Sequence, residues 1–380
     1  MVFLSLIRMF VNTNTRMFYP FLSVFARGLG VDLTSISVVM SARSFTAALS
    51  PFLAPVAEKR GRKAGILLGA GLFTIANALL IPWPSFPVFF LSQCVGFLGY
   101  RFFMATVHAY LSDNTPYQQR GRSIAIFEMG WSFSFILGVP LVGLLIGRYG
   151  WGSPFPVFTI LGLITLLLLA RLIPKGIENK KGVSLVDGFR QIRRSLPAIA
   201  VLASTISFHI ANESVNLVFG VWLEDSFGLK IAALGAASLV IGLADLGGES
   251  LSATWVDRIG KKRAIFWGVL LNGSVALLLP WLGRSISGAL VGLFFFYLTA
   301  EFAIVCFFPL ISEILPAARA TLLAYGATAN SVGRGVGALL APLLYSLGFR
   351  ANALSTVFFC LLTLFVLNWV KVEDKQGNES

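Results

Sequence analysis

Charged residues are scarce in this chain: Asp, Glu, Lys and Arg together make up only 12% of its 380 residues. Soluble domains carry about 25% charged residues, so the composition excludes an ordinary soluble enzyme. It also excludes a disordered chain, because 56% of the residues are hydrophobic and the mean hydropathy is +0.81. The remaining class is an all-α membrane protein that crosses the bilayer many times.

Residues that bind metals or form disulfides are also scarce. The three cysteines (Cys94, Cys306 and Cys360) lie in apolar runs without a CxxC pair, and the two histidines form no HExxH motif. These absences argue against a disulfide framework and against a metal site. The chain also lacks the GxxxxGK[ST] loop that holds nucleotide phosphates. We therefore expect no metal, no cofactor, no enzymatic activity and no direct use of ATP.

Twelve apolar runs, each long enough to span a bilayer, follow one another along the chain. Gly, Pro or charged residues separate them, and each run predicts one membrane-spanning helix. Arg8 and Arg16 interrupt the first run and no small-residue cleavage site follows, so we interpret it as a helix rather than a signal peptide. The predicted spans, numbered 1 to 12, are 3–27, 33–57, 64–83, 86–112, 121–147, 154–173, 197–223, 231–256, 263–282, 287–313, 321–346 and 350–370.

The net charge of +13 has a topological explanation. Twenty Lys and Arg residues lie on the side of the predicted spans that holds both termini, and five lie on the opposite side. Basic residues accumulate in cytoplasmic loops, so both termini are predicted to be cytoplasmic, with the protein in the plasma (inner) membrane. Because the basic residues form short clusters between apolar runs, we expect the lipid bilayer and not a nucleic acid as the partner, and we expect a monomer.

Landmarks in the first half of the chain return about 200 residues later. The segment 58–63 matches 257–262, Pro116 matches Pro316, and Gly150-Trp151 matches Gly348-Phe349. A repeat of this kind predicts two pseudo-symmetric six-helix bundles. We place the first bundle at 1–173, a basic cytoplasmic linker at 174–196, and the second bundle with a short cytoplasmic tail at 197–380.

The repeated loop after spans 2 and 8 resembles the signature of the major facilitator superfamily, G-x-L-A-D-R-x-G-R-[KR]. The first copy reads Ala-Pro-Val-Ala-Glu-Lys-Arg-Gly-Arg-Lys over 54–63, and the second ends Asp-Arg-Ile-Gly-Lys-Lys over 257–262. The resemblance covers essentially the whole chain and implies twelve helices that work by alternating access. It also implies an arginine early in span 4, where this chain has Gln93, with Arg101 about two turns later.

In this family the loop signature latches the two halves together when the cytoplasmic side is closed. The resemblance therefore implies a conformational latch, in which Glu58 faces the positive N-terminus of span 11 and Asp257 that of span 5. The alternative interpretation is a plain topology signal. The latch residues are Glu58, Gly61, Arg62, Asp257, Arg258 and Gly260.

Ionisable groups inside a bilayer are costly, so they are usually paired or functional. Span 1 carries Asn12, Arg16 and Tyr19 on one helical face, and further arginines occur in spans 2 and 4. Trp131 lies deep in span 5, away from the interfacial belts of the other tryptophans. We predict that the substrate contacts Asn12, Arg16, Tyr19, Arg43, Arg101 and Trp131. Arg8, near the cytoplasmic end of span 1, is expected to snorkel to the interface.

The acids of the spans lie mainly in the second half. Asp245 and Glu249 are one helical turn apart on span 8, where two ionised carboxylates repel, so one of them is expected to bind a proton. We expect Arg334 to neutralise Asp245, Glu249 or Glu301 within the second bundle. The alternative is a static acid–arginine cluster that only holds helices together. The predicted proton-coupling residues are Asp245 and Glu249 first, then Glu213 and Glu301, with Glu128 in span 5.

Arginines in the first half and acids in the second suggest a division of labour. We predict a secondary active transporter that moves a small organic solute, anionic, zwitterionic or amphipathic, coupled to protons and acting at a midplane site. One alternative is a proton-coupled exporter of lipophilic cations and drugs, in which the acids attract the substrate. A remote alternative is a membrane sensor that does not transport.

Overall fold

The computed structural model describes residues 2–53, 60–174 and 185–370. In these ranges the chain forms helices joined by short turns, and no strand occurs. In these ranges eight helical stretches are long and apolar enough to cross a membrane, and two of them, Ile126–Tyr149 and Leu196–Phe227, are counted across short breaks. Leu22–Leu29 and Leu33–Ala47 meet the same criterion only when taken together, and a bend of 111° separates them. The predicted all-α membrane architecture is confirmed.

Each of the twelve predicted spans coincides with helical structure, although residues 54–57 of span 2 lie outside the described ranges. Nine spans contain one principal helix each, and span 2 adds a 3₁₀ turn at Ser50–Leu53. A further helix, Leu185–Arg194, lies in the predicted linker, of which residues 175–184 are not described. The nine principal helices are Leu33–Ala47, Gly61–Leu79, Phe86–Asn114, Pro154–Leu172, Ile231–Ile259, Lys261–Leu282, Ile286–Ile314, Arg319–Tyr345 and Phe349–Leu367, for spans 2, 3, 4, 6, 8, 9, 10, 11 and 12.

Spans 1, 5 and 7 are interrupted near their middles. In span 1, Pro20 has no N–H to donate to the carbonyl of Arg16, and the amide of Tyr19 bonds that carbonyl instead. In span 5, Pro140 follows the π-helical turn and likewise cannot donate to Ile136. The segments are Val2–Arg16 and Leu22–Leu29 for span 1; Tyr117–Glu128, Gly130–Phe133, the π turn Ser134–Gly138 and Val139–Tyr149 for span 5; and Leu196–Asn216 and Phe219–Phe227 for span 7.

The backbone repeats between the two halves. All six glycines with positive φ among the described residues fall into pairs about 200 residues apart. Gly30 and Gly228, for example, end the second segments of spans 1 and 7 in the left-handed conformation, with φ of 68° and 64°. The other pairs are Gly61 with Gly260 and Gly150 with Gly348. The repeat seen in the loops is therefore also a repeat of chain geometry.

The buried apolar residues form one core shared by both halves and two cores confined to one half each. The shared core joins residues such as Phe21 and Phe135 of the first half to Phe219 and Leu234 of the second. It occupies the end of the molecule away from the chain termini. At the end that holds the termini, each half packs around its own core. The halves are thus packed together at the far end and separate at the terminus end.

Polar contacts also join the halves at the far end. Glu224 of span 7 accepts a hydrogen bond from Ser23 and pairs with Arg27 at 2.8 Å, and both of these residues are in span 1. Spans 5 and 8 cross at Gly143 and Gly235, where a Cβ on Gly143 would lie 3.2 Å from the Cα of Gly235. A cavity between the halves is therefore closed on this side.

Candidate functional site

A cavity near the middle of the spans lies between the two halves. It has about 420 Å³ of space, counting its open mouth. Four arginines reach it, and no acidic side chain is among the described residues that line it. The lining consists of Thr15, Arg16, Tyr19, Arg43, Ser44, Phe97, Tyr100, Arg101, Trp131, Asn330, Ser331 and Arg334. The arrangement is basic and aromatic.

Arg16 of span 1 crosses to the second half and pairs with Asp245 of span 8 at 2.5 Å. Both side chains are buried. The other terminal nitrogen of Arg16 donates to the carbonyl of Trp131 at 2.9 Å, next to the π turn of span 5. The guanidinium also lies over the rings of Trp131 and Phe135, 4.0 and 3.6 Å from their centroids. Asp245 is therefore neutralised by the opposite half of the molecule.

Arg334 of span 11 pairs with Glu213 of span 7, with Nε 3.2 Å from Oε2. Its Nη2 donates to the hydroxyl of Tyr19 at 2.9 Å, and that hydroxyl donates to Glu213 at 3.0 Å. The expectation that Arg334 neutralises Asp245, Glu249 or Glu301 was wrong. Asp245 already has Arg16 as its partner. Glu213 lies beside Arg334 because spans 7 and 11 approach closely at Gly337, three residues after Arg334, where a Cβ would lie 2.6 Å from the Cβ of Glu213.

Arg43 and Arg101 reach the cavity without an acidic partner in the described part of the chain. Arg43 is 2% exposed, yet its hydrogen bonds are long: 3.4 Å to Gln93 and 3.3 Å to the carbonyl of Thr15. Its Nε has no hydrogen-bond partner among the residues that the structure describes. Arg101 makes one hydrogen bond, to the carbonyl of Ala327 at 3.2 Å. A buried cation without a counter-charge is costly, so this part of the cavity is suited to an anion.

Glu249 and Glu301 lie beside Asp245 without cations of their own. Glu249 accepts one hydrogen bond, from Ser132 at 3.1 Å. Glu301 of span 10 packs next to Gly248 and has no hydrogen bond or ion pair among the described residues. In the described part of the chain, the three carboxylates on spans 8 and 10 therefore share one arginine, Arg16. The site is suited to binding protons, since protonation removes negative charge that Arg16 alone does not compensate.

Glu128 of span 5 is fully engaged in the first half. Arg8 donates to both of its carboxylate oxygens, and Nε2 of His108 lies 3.0 Å from Oε1. The expectation that Arg8 snorkels was wrong, because the residue is only 7% exposed and its guanidinium is held by this pair. Spans 1 and 5 approach closely at Gly130, where a Cβ would lie 2.7 Å from the carbonyl oxygen of Ser5. This approach brings Arg8 to Glu128.

Asn12 does not line the cavity, so the structure contradicts its predicted contact with substrate. It is fully buried, and neither its amide nitrogen nor its amide oxygen has a hydrogen-bond partner within the described ranges. Arg16, Tyr19, Arg43, Arg101 and Trp131, by contrast, all reach the cavity.

The sequence analysis also missed Asn330, which lines the cavity. Its amide lies 2.7 Å from Nε2 of His209, whose Nδ1 bonds the carbonyl of Thr205 at 2.8 Å. Because a carbonyl only accepts, Nδ1 carries a proton and Nε2 accepts from Asn330, so this histidine is neutral. The position of Asn330, one turn before Arg334, was the signal available in the sequence.

The predicted latch residues that the structure describes lie at the terminus end. Glu58 falls outside the described residues. Asp257 and Arg258 are exposed, and Arg62 pairs with Asp113 at 2.9 Å. Gly61 and Gly260 have φ of 83° and 87°, which suits the tight turns expected there. The role of these residues as a latch stays a prediction.

Comparisons with known proteins agree with this architecture. The family model described as the Major Facilitator Superfamily matches residues 4–309 and 201–380. The chain is 26% identical over 372 residues to YceJ, an uncharacterized MFS-type transporter of Bacillus subtilis, covering 97% of this chain and 94% of the relative. It is also 26% identical over 388 residues to the multidrug resistance protein MdtG of Dickeya zeae, covering 95% and 91%. The solved structure of the nucleoside transporter NupG is similar in fold, with a TM-score of 0.78 at 14% identity, covering 97% of this chain and 99% of that one.

Proposed function

Because the chain belongs to the major facilitator superfamily of transporters, we propose that it carries a small organic anion or zwitterion across the membrane by proton-coupled alternating access. The observation that carries this proposal is Arg43, a buried arginine at the cavity with no acidic partner in the described chain. A carboxylate or sulfonate bound there supplies the missing counter-charge and accepts two parallel hydrogen bonds from the guanidinium.

The rest of the lining favours a substrate with an aromatic or apolar body. Phe97, Tyr100 and Trp131 reach the cavity beside the arginines, and Phe97 lies 4.8 Å from the guanidinium of Arg43. Arg101 is the second cation without an acidic partner among the described residues and extends the anion-binding region toward span 11. Arg16 and Arg334 are already neutralised by Asp245 and Glu213.

Coupling to protons is supported by the acids behind this surface. Arg16 belongs to both sites, since it lines the cavity and pairs with Asp245. An anion that attracts Arg16 weakens its hold on Asp245, and protonation of the carboxylates then offsets the lost attraction. We assign the coupling proton to Glu249 or Glu301, because Asp245 and Glu213 already have arginine partners.

The open side of the cavity faces the cytoplasm in this proposal. The positive-inside rule places both termini there, and the separate cores of the two halves lie at the same end. The conformation is then inward-open, with the outer end closed by the shared core.

A second candidate function is export of lipophilic cations. Sequence similarity to multidrug resistance proteins favours it, as do the aromatic residues of the cavity. The charge of the lining opposes it, because no acidic side chain is among the described lining residues. The purified protein is therefore tested with both anionic and cationic substrates.

The test is transport by purified protein in proteoliposomes, with and without a pH gradient. Labelled p-aminohippurate and an aromatic sulfonate serve as anions, and ethidium serves as the lipophilic cation. We expect accumulation of an anion that depends on the pH gradient and is lost when Arg43 is replaced by Ala. Accumulation of ethidium without transport of either anion would support the drug-exporter alternative instead.

A further inference from the structure

Asn12 is a buried amide that the substrate site does not use. It is fully buried, and its Nδ2 and Oδ1 are both without a partner among the described residues. An unpaired buried amide is costly, and the usual partner of such a group is an ordered water molecule. The side chain is therefore a candidate anchor for water inside the membrane domain.

The position of Asn12 lies between two ion pairs. It is one helical turn from Arg8 and one turn from Arg16, on the face of span 1 that packs against span 5. Arg8 binds Glu128 on the terminus side, and Arg16 binds Asp245 toward the middle of the membrane. Two contacts show that this face of span 1 meets span 5: a Cβ on Gly130 would lie 3.0 Å from the Cβ of Arg8, and Arg16 lies over the ring of Trp131. Ser132 of span 5, one turn beyond Glu128, donates to Glu249.

His108 lies beside the Arg8–Glu128 pair at the terminus end, and its imidazole can form hydrogen bonds in two protonation states. Its Nε2 lies 3.0 Å from Oε1 of Glu128 and 3.3 Å from Nη1 of Arg8. With a proton, Nε2 donates to the carboxylate; without one, it accepts from the guanidinium. The histidine and Glu128 side chains are 38% and 37% exposed. Nε2 is therefore partly accessible from the surface near the terminus end of span 4, and the loss of its proton leaves no group unpaired.

We propose that protons reach the coupling carboxylates along spans 1, 5 and 8, by way of His108, Glu128 and a water molecule bound to Asn12. A proton leaves Nε2 of His108 for the Glu128 carboxylate, while Arg8 turns its hydrogen bond to the neutral imidazole. Glu128 passes the proton to the water, which gives one of its own to Glu249. The net change is one proton moved from His108 to Glu249. The charged groups facing the route are Arg8, Arg16, Asp245 and Glu301.

This inference rests on the proposed coupling. It predicts that the rate of proton arrival and the final extent of accumulation depend on different residues. A route residue sets how fast protons arrive, whereas Glu249 or Glu301 sets whether they drive accumulation at all. Blocking the route should therefore slow gradient-driven transport without abolishing its final extent. Exchange of substrate for substrate at equal pH, which needs no net proton movement, should keep its rate.

The experiment replaces Asn12 with Leu, which is similar in size but has no polar atom, and with Ser, which retains a hydroxyl for water. Proteoliposomes containing the pH dye pyranine report proton movement while labelled p-aminohippurate reports transport. For Asn12→Leu we expect the initial gradient-driven rates to fall about tenfold with unchanged p-aminohippurate exchange. Asn12→Ser should stay near the wild-type rates. Ser204→Ala is the matched control, because Ser204 is another buried, unpartnered polar residue but lies in span 7.

His108→Gln provides a second variant, since glutamine keeps a polar group beside Glu128 but cannot carry the proton. If Asn12→Leu does not fold, the proton and transport rates of His108→Gln test the route instead. Wild-type proton and transport rates in the folded variants would overturn the route, and so would an equal loss of exchange, which indicates damaged packing. A wild-type protein whose anion transport ignores the pH gradient would instead refute the proposed coupling, and the route with it.

Discussion

Arg43 shows at the scale of one residue how burial can indicate a ligand. Its guanidinium lies near the rings of Phe18 and Phe97, and its nearest polar contacts are long and uncharged. Aromatic faces stabilise a cation only in part. Since a buried charge normally has a counter-ion, the costly environment of this arginine supports the proposed anionic substrate.

Replacing Arg43 with Lys should therefore weaken anion binding although the charge is kept. The planar fork that matches a carboxylate is lost, and a hydrogen bond to a charged group contributes about 1.5–3 kcal/mol, so we expect a loss of about ten- to a hundredfold in affinity. Binding is measured by thermal stabilisation with p-aminohippurate. Arg148→Lys is the control, because Arg148 is exposed at the end of span 5. Unchanged affinity for p-aminohippurate in Arg43→Lys would show that the guanidinium of Arg43 does not bind the anion.

The carboxylates without cations give the second prediction at this scale. Glu301→Gln and Glu249→Gln remove a titratable group while preserving shape, so the site should keep binding and exchanging substrate. If one of them carries the coupling proton, its Gln variant should lose accumulation driven by the pH gradient. Asp32→Asn, at the exposed N-cap of the helix Leu33–Ala47, serves as control, because Asn caps a helix as well as Asp does. Wild-type accumulation in the double variant would show that neither acid is the proton carrier.

Which residues reach the cavity was more predictable from the sequence than which residues pair. Arg16, Tyr19, Arg43, Arg101 and Trp131 stood out because polar groups are rare in apolar spans, and all of them reach the cavity. The partner of Arg334 was not predictable in this way. Helical spacing places a residue on a face, but the choice between Glu213 and Asp245 depends on which helices of different halves meet.

At the scale of elements, the interruptions of spans 1, 5 and 7 shape the site. Pro20 and Pro140 are visible in the sequence, and each removes a backbone hydrogen bond in the middle of a span. The break in span 1 separates Arg16 from Tyr19, which turn to different partners, Asp245 and Glu213. The π turn in span 5 lies next to the Trp131 carbonyl that accepts from Arg16. The sequence predicted helices here but not how their breaks would be used.

The crossing of spans 5 and 8 depends on two small residues and yields a prediction about conformation. A side chain at Gly143 would meet Phe21 at 2.9 Å and the backbone of Gly235 at 3.2 Å. Gly143→Val should therefore destabilise the closed far end, by about 1–3 kcal/mol as for other overpacked cores, and favour the state open on that side. Distances between spin labels at the ends of spans 5 and 8 measure the shift.

Gly147→Val is the matched control for this crossing. Gly147 lies on the same helix one turn later, and a Cβ there would meet nothing within 4 Å. The control should show the wild-type distance distribution. If Gly143→Val shows the same distribution, the close crossing does not hold the far end shut.

At the scale of the whole molecule, the fold was predictable and its conformation was not. Apolar runs and the repeat of about 200 residues predict twelve spans in two halves, because membrane insertion and duplication both leave periodic patterns in the sequence. The state of the molecule depends on which apolar faces meet across the halves. In the proposed alternating access the same faces must separate, so the sequence has to encode both arrangements. The structure shows the one in which the far end shares a core.

Transport should therefore require the far end to open, and a cross-link there should stop it. Ser23 and Glu224 are in hydrogen-bond contact across the halves, so cysteines at both positions, with Cys94, Cys306 and Cys360 replaced, can be joined by a short bifunctional methanethiosulfonate. We expect joined protein in proteoliposomes to bind p-aminohippurate from the open end but not to exchange it, and a reductant to restore exchange. The two single-cysteine variants treated with the same reagent control for simple modification. Exchange at the untreated rate by the joined protein would show that the contacts between spans 1 and 7 do not have to part in the transport cycle.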